Sequence, residues 1–194
     1  MIAHLNGRLA EAYPTYLIIE CGGVGYQVNI SLNTYAKIDK AEQIKIFTHL
    51  VVREDAQILY GFSTKQEREL FLKLISVNGV GPSSAMMMLS SLEPEEIIVA
   101  IEEANAKKLQ TVKGIGAKTA QRIIIDLKDK LEGDELNFGS FNTNSKNKSK
   151  FEALSALEVL GIPNRAAEKV MDVILKEHPD AEANVLVKET LKRL

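Results

Sequence analysis

Two stretches of this chain carry the same pattern, and the duplication limits what its middle can fold into. LISVNGVGPSSAMMML starts at Leu74 and LQTVKGIGAKTAQRII starts at Leu109. Leu74 and Leu109, Val77 and Val112, Gly79 and Gly114, Gly81 and Gly116, and Ala85 and Ala120 all pair at an offset of thirty-five residues. In each copy a helical pattern ends at a Gly-hydrophobic-Gly turn and a second helix starts at once, the grammar of a helix-hairpin-helix unit. The glycines have a physical reason: a tight turn needs backbone freedom, and no Cβ then stands between chain and ligand. Val80 and Ile115, between the glycines, are expected to be buried and to pin each turn. The second helix of each pair presents unpaired N–H groups and the positive end of its dipole outward, which makes a phosphate seat. Ser83 and Ser84 fall at the first seat, Lys118 and Thr119 at the second. Arg122, four residues beyond Lys118, shares its face. Such contacts reach phosphate and carry no base information. One turn of this kind fits a plain αα-hairpin, whereas two in register point to a binding pair. The string GIGAKT is not a nucleotide phosphate loop. It lacks G-x-x-x-x-G-K-[ST], since Ala117 precedes Lys118, and a helix rather than a strand leads into it.

The flanks use other patterns. Residues 1–62 read as β structure: Tyr16–Cys21, Gly25–Ile30, Ile44–Val52 and Gln57–Phe62 are rich in β-branched and aromatic residues, with Met1–Ala10 as a first strand. Five strands in about sixty residues suggest a small closed barrel of OB-fold type. Taken alone, that pattern describes a structural β-domain without a ligand. Residues 64–131 are helical. Ser63 or Thr64 caps a helix through KQERELFLKLI, with Leu70, Phe71 and Leu74 on one face, and Pro94, Glu95 and Glu96 open another. Residues 133–150, GDELNFGSFNTNSKNKSK, read as a flexible polar linker. The remainder shows three apolar stripes: Phe151, Leu154, Leu157 and Leu160; Val170, Met171 and Ile174; Val185, Leu186 and Leu191. The organisation expected is α+β and multidomain: a barrel (1–63), a tandem helix-hairpin-helix domain (64–132), a linker (133–150) and a three-helix mini-domain (151–194).

Net charge is −2 over 194 residues, so the chain is no general basic coat for nucleic acid. Its distribution is uneven. Between Ala106 and Lys130 stand Lys107, Lys108, Lys113, Lys118, Arg122, Lys128 and Lys130 against Asp126 and Asp129, a local basic field able to attract phosphate. Cys21 is the single cysteine, so neither an intrachain disulfide nor a cysteine-based zinc site can form. His4, His49 and His178 lack ligand spacing, and no metal or cofactor is expected. The first residues lack a signal-type apolar core, and no apolar run approaches membrane-spanning length. A reducing cytoplasm is the expected compartment. The densest acids, Glu95, Glu96, Glu102 and Glu103, fall on a solvated helix face without a histidine partner, so no catalytic residue is assigned. A structure-specific nuclease or glycosylase and a protein-interaction adaptor stay open beside DNA binding.

Several strings carry a resemblance to one family: CGGVGYQV (21–28), FTHLVVREDAQILYGF (47–62), NGVGP (78–82), GIGAKTAQRIIIDLKDK (114–130) and EALSALEVLGI (152–162). The chain resembles the RuvA family of Holliday-junction-binding proteins over all three segments in order. The resemblance implies an OB-fold, a double helix-hairpin-helix domain and a mobile C-terminal domain that contacts the ATP-driven motor RuvB. It implies a homotetramer, with pairs of tetramers able to sandwich a junction, and the resolvase RuvC as a further partner. Glu54 and Asp55, on pattern alone an ordinary solvated turn, match the family's acidic pin at the tetramer centre. Leu157, Leu160, Ile162 and Val170 become candidates for the motor contact. One departure stands out: a lysine often follows the first hairpin's proline in the family, and here Ser83 and Ser84 occupy that place.

Overall fold

The structure, a computed structural model, describes residues 1–38, 42–133, 145–178 and 181–193. They form two compact units, residues 1–138 and 139–194.

The first unit opens with five strands: β1 (His4–Tyr13), β2 (Tyr16–Cys21), β3 (Val24–Ile30), β4 (Gln43–Val52) and β5 (Gln57–Phe62). They close into a barrel in the order β1-β2-β3-β5-β4, with β3 and β5 parallel and the other neighbours antiparallel. Alternation explains the closure. Leu5, Leu17, Ile19, Val28, Ile30, Ile44, Ile46 and Leu59 point inward and are buried together, while intervening residues face outward. The expected OB-type barrel is present. Between β3 and β4 lies a short helix that strand patterning did not signal, α1 (Leu32–Lys37), whose N-cap Ser31 accepts from the Thr34 N–H.

Five helices follow: α2 (Lys65–Ser76), α3 (Pro82–Ser91), α4 (Pro94–Glu102), α5 (Ala106–Gln110) and α6 (Ala117–Gly133). Thr64 caps α2 through the Glu67 N–H, and Pro94 opens α4 behind a capping box between Glu93 and Glu96. Leu70, Phe71 and Leu74 form the buried face of α2, as its spacing requires. The secondary structure changes at residues 63–64, yet the packing is continuous there. Tyr60 and Phe62 of β5 belong to the helical core, and Phe71 lies 5.2 and 5.0 Å from their ring centroids.

The second unit contains α7 (Ser145–Val159), α8 (Asn164–Glu177) and α9 (Ala183–Arg193). Ala153, Leu157, Ala167, Met171, Ile174 and Leu186 make its core. Helix α7 already runs through residues 145–150, which the sequence reads as linker, and Lys150 Nζ reaches Asp172 Oδ1 of α8 at 2.7 Å. Residues 134–144 of that expected linker lie outside the described residues. Leu160 is 61 % exposed rather than a member of the first stripe. Helix α7 ends at Val159, so the 3.6-residue periodicity behind that assignment stops one residue too early. Val185 and Leu191 are exposed as well, leaving Leu186 as the residue of that stripe in the core.

Candidate nucleic-acid interface

The two repeats fold as near copies down to single hydrogen bonds. In the first, the Val77 N–H donates to Leu74 O at 3.2 Å, Val80 N–H to Val77 O at 3.0 Å, and Ala85 N–H to Gly81 O at 3.0 Å. In the second, Val112 N–H donates to Leu109 O at 3.2 Å, Ile115 N–H to Val112 O at 3.1 Å, and Ala120 N–H to Gly116 O at 2.9 Å. Val80 and Ile115 are buried, and both turns are thereby held against the core. The two helix pairs, α2–α3 and α5–α6, share one core, so the repeats form a single body.

The paired glycines divide their work. Gly79 and Gly114 sit at φ +93° and +91°, where a side chain is strained, so the turn itself demands them. Gly81 and Gly116 lie outside that region, Gly81 at φ −85° and ψ 168°, extended backbone open to any residue. A Cβ built at any of the four glycines would meet nothing within 4 Å. Backbone conformation, not packing, therefore sets Gly79 and Gly114 apart from Gly81 and Gly116.

Beyond these turns the first residues of α3 and α6 offer N–H groups that lack intrahelical acceptors. Gly81 brings no side chain to cap α3, and Pro82 removes one donor, leaving those of Ser83 and Ser84. At the second hairpin Ala117, Lys118 and Thr119 occupy the first turn of α6. Lys113, Lys118 and Arg122 are exposed around it. Arg122 Nε lies 3.7 Å from Asp126 Oδ2, an exposed pairing that leaves the guanidinium accessible. The equivalent positions in the first hairpin are Asn78, Ser83 and Met87, so the backbone is duplicated and the charge is not. Lys113 was absent from the residues singled out by motif, because it precedes the glycine rather than following it. Lys108 is drawn away from the basic field by Glu96, at 2.9 Å, and that partner holds the Glu96 carboxyl below the usual carboxylate range.

Glu54 and Asp55 form the exposed tip between β4 and β5, in a turn closed by the Arg53 N–H on Ala56 O at 2.8 Å. In the second unit, Leu157 is fully buried and serves the mini-domain core, which corrects its candidacy as a contact. Ile162 and Val170 are half-buried. Val159, missed by motif reading, is 88 % exposed beside Leu160 at the α7–α8 corner. Among the described residues no three His, Cys, Asp or Glu side chains are placed to share a metal ion, and no helix is long and apolar enough to cross a membrane.

Comparison with known proteins agrees with this geometry. The model of the RuvA N terminal domain matches residues 1–61, and that of the SAM-like helix-hairpin-helix tandem matches residues 71–129. Proteins named Holliday junction branch migration complex subunit RuvA align along the whole chain. The one from Christiangramia forsetii is 52% identical over 198 residues, covering 100% of both chains. Those from Flavobacterium psychrophilum and Bacteroides thetaiotaomicron are 49% and 46% identical, each again covering 100% of both chains. With relatives about half identical to it over its whole length, and both family models matching in order, the chain belongs to the RuvA family of Holliday junction branch migration complex subunits.

Proposed function

We propose that this chain binds four-way DNA junctions without reading their sequence, and serves as the RuvA subunit of a branch migration complex whose ATP hydrolysis comes from RuvB. The observation that carries this reading is the pair of hairpin turns with matching hydrogen bonds, each with a second glycine that has neither a positive φ nor a neighbour within 4 Å of a built Cβ. Gly79, Val80, Gly81, Ser83 and Ser84 form one phosphate seat; Gly114, Ile115, Gly116, Lys118, Thr119 and Arg122 form the other, with Lys113 beside it. Backbone N–H groups approach phosphate oxygens, and the cations strengthen the second seat. The first seat, without a cation after its proline, contributes less to affinity and more to register.

Four copies around a four-fold axis suit a four-armed substrate, since each subunit meets one arm through equivalent contacts. Two such tetramers can face each other across the junction, and RuvC can act on the assembled complex. Glu54 and Asp55, gathered at the centre from every subunit, repel phosphates there. They disfavour a continuous duplex across the middle and guide separated strands outward. The subunit itself is non-catalytic and needs no cofactor. The exposed Val159 and Leu160, with the half-buried Ile162 and Val170, contact the motor, and the cytoplasm is the site of action. The organisation into barrel, hairpin domain, tether and mini-domain suits this division of labour, with a DNA platform and a separately tethered motor contact.

The test is a gel-shift comparison of a synthetic four-way junction with linear duplex of equal length, in Mg²⁺ and ATP. Preference for the junction is expected, insensitive to scrambling of arm sequence and weakening steeply with salt. A strong base-sequence preference would sink the phosphate-seat argument. Cleavage of the junction by the purified chain would favour a nuclease instead.

A further inference from the structure

A set of polar contacts that phosphate binding does not use ties the barrel to the hairpins, and its centre is a buried carboxylate. Glu67, on α2, is 2 % exposed. Its Oε1 accepts from Ser31 Oγ at 2.7 Å. Its Oε2 accepts from Thr34 Oγ1 at 2.6 Å, from the Ser63 N–H at 3.1 Å and from Ser63 Oγ at 3.1 Å. These donors come from two further places in the fold. Ser31 and Thr34 are the cap and first turn of α1, and Ser63 follows the last strand of the barrel. Helix α1, more than 30 residues away in sequence, and the junction between β5 and α2 therefore meet on one side chain.

A carboxylate is a costly thing to bury, and an apolar residue of similar volume would serve cohesion as well. What the carboxylate adds is direction, because four hydrogen bonds fix how α1, α2 and the end of β5 are oriented to one another. Helix α1 then reaches further. Asn33 Nδ2 donates to Leu92 O at 2.9 Å, the Leu32 N–H to Ser90 Oγ at 3.2 Å, and Lys37 Nζ pairs with Glu93 Oε2 at 2.8 Å. Those partners surround the C-terminal end of α3, whose opposite end is the first phosphate seat. The acidic turn of Glu54 and Asp55 belongs to the barrel at the other side of the same linkage.

We propose that Glu67 and the α1 strut are positioning elements that hold the phosphate seats at a fixed orientation to the acidic turn, and so set discrimination between four-way and linear DNA. The inference rests on the junction-binding reading above. A linear duplex asks only that a seat meet phosphates. A junction asks in addition that seats and acidic turn stand in one spatial relation, so loosening the linkage weakens junction binding through lost preorganisation and spares duplex binding.

The test compares the full-length chain with Glu67→Gln and with the double variant Asn33→Ala/Lys37→Ala, using fluorescence anisotropy on a four-way junction and an equal-length duplex. All measurements are made well below each variant's melting temperature. The unmodified chain must prefer the junction; absence of that preference overturns the junction reading itself. Given the preference, the junction-to-duplex affinity ratio is expected to fall about fivefold or more in each variant, with duplex affinity within about twofold of the unmodified chain. A purely structural role would lower the melting temperature and leave the ratio alone. An unchanged ratio in the double variant overturns the proposal, and that variant decides alone should Glu67→Gln fail to fold, because its side chains lie outside the barrel strands.

Discussion

Alanine substitution at the hairpin glycines separates what the fold needs from what the ligand needs. At Gly114, φ of +91° imposes strain on any side chain of about 1–3 kcal/mol. For a unit of this size each kcal/mol shifts the melting temperature by about 2–4 °C, so Gly114→Ala should melt roughly 2–12 °C lower. Gly116→Ala meets neither a strained φ nor a neighbour within 4 Å. Alanine is a poorer helix N-cap than glycine, at about 0.5–1 kcal/mol. Reduced freedom of the unfolded chain offsets this by about 0.4–1 kcal/mol. The two terms nearly cancel, and melting should move by no more than about 3 °C. Binding should respond the other way. On the proposed reading a methyl group at Gly116 blocks phosphate, and losing one hydrogen bond to a charged group costs about 1.5–3 kcal/mol, roughly 10- to 150-fold in affinity. Lys118→Ala, which removes one exposed charge, should cost less than this. The assay pairs calorimetric melting with anisotropy on a four-way junction. If folded Gly116→Ala bound within twofold of the unmodified chain, close backbone approach would be the wrong account of that glycine.

Three further outcomes are expected. Replacing Glu54 with Gln and Asp55 with Asn, or both with Lys, should raise affinity for linear duplex and lower discrimination for the junction; unchanged duplex affinity in the Lys variant would return the pair to an ordinary solvated turn. A chain ending at Gly133, the last residue of α6, should stay folded and bind junctions, yet fail to stimulate branch migration by RuvB. Full stimulation by this truncated form would remove the mini-domain as the motor contact. His49 is held below its ordinary pKa by burial first and by Arg68 second, so the unfolded chain binds the proton more readily. Its contribution to stability is present above the unfolded value of about 6.5 and is lost as pH falls toward the folded value. Melting temperature should therefore drop between pH 7.5 and 5.5, and less in His49→Gln; equal drops in both would show that other groups govern the acid limb.

Much of the candidate site was legible because it is written locally. The glycine spacing, the apolar residue between the glycines and the following helix start are all properties of a dozen consecutive residues, and the duplication verified them against each other. The strand segments were legible for the same reason, since alternation at Leu17 and Ile19 or Ile44 and Ile46 reports a two-faced strand directly. Leu160 shows the limit of this logic. A stripe extrapolated by periodicity holds only while the helix lasts, and α7 stops one residue before it.

Glu67 shows where local reading ends. Its position three residues after Thr64 suggests a capping box, and its backbone N–H does donate to Thr64 Oγ1 at 3.1 Å. Its carboxylate, however, accepts from hydroxyls 33 and 36 residues away. The sequence by itself determined the two hairpins, the strands and the uneven charge, because each depends on neighbours along the chain. Tertiary structure alone decided which glycine needs a positive φ and which does not, that Lys108 pairs with Glu96, and that α1, the end of β5 and α2 meet on one buried carboxylate. Those outcomes depend on backbone angles and on partners brought together only by closing the barrel, and no spacing between neighbouring residues encodes them.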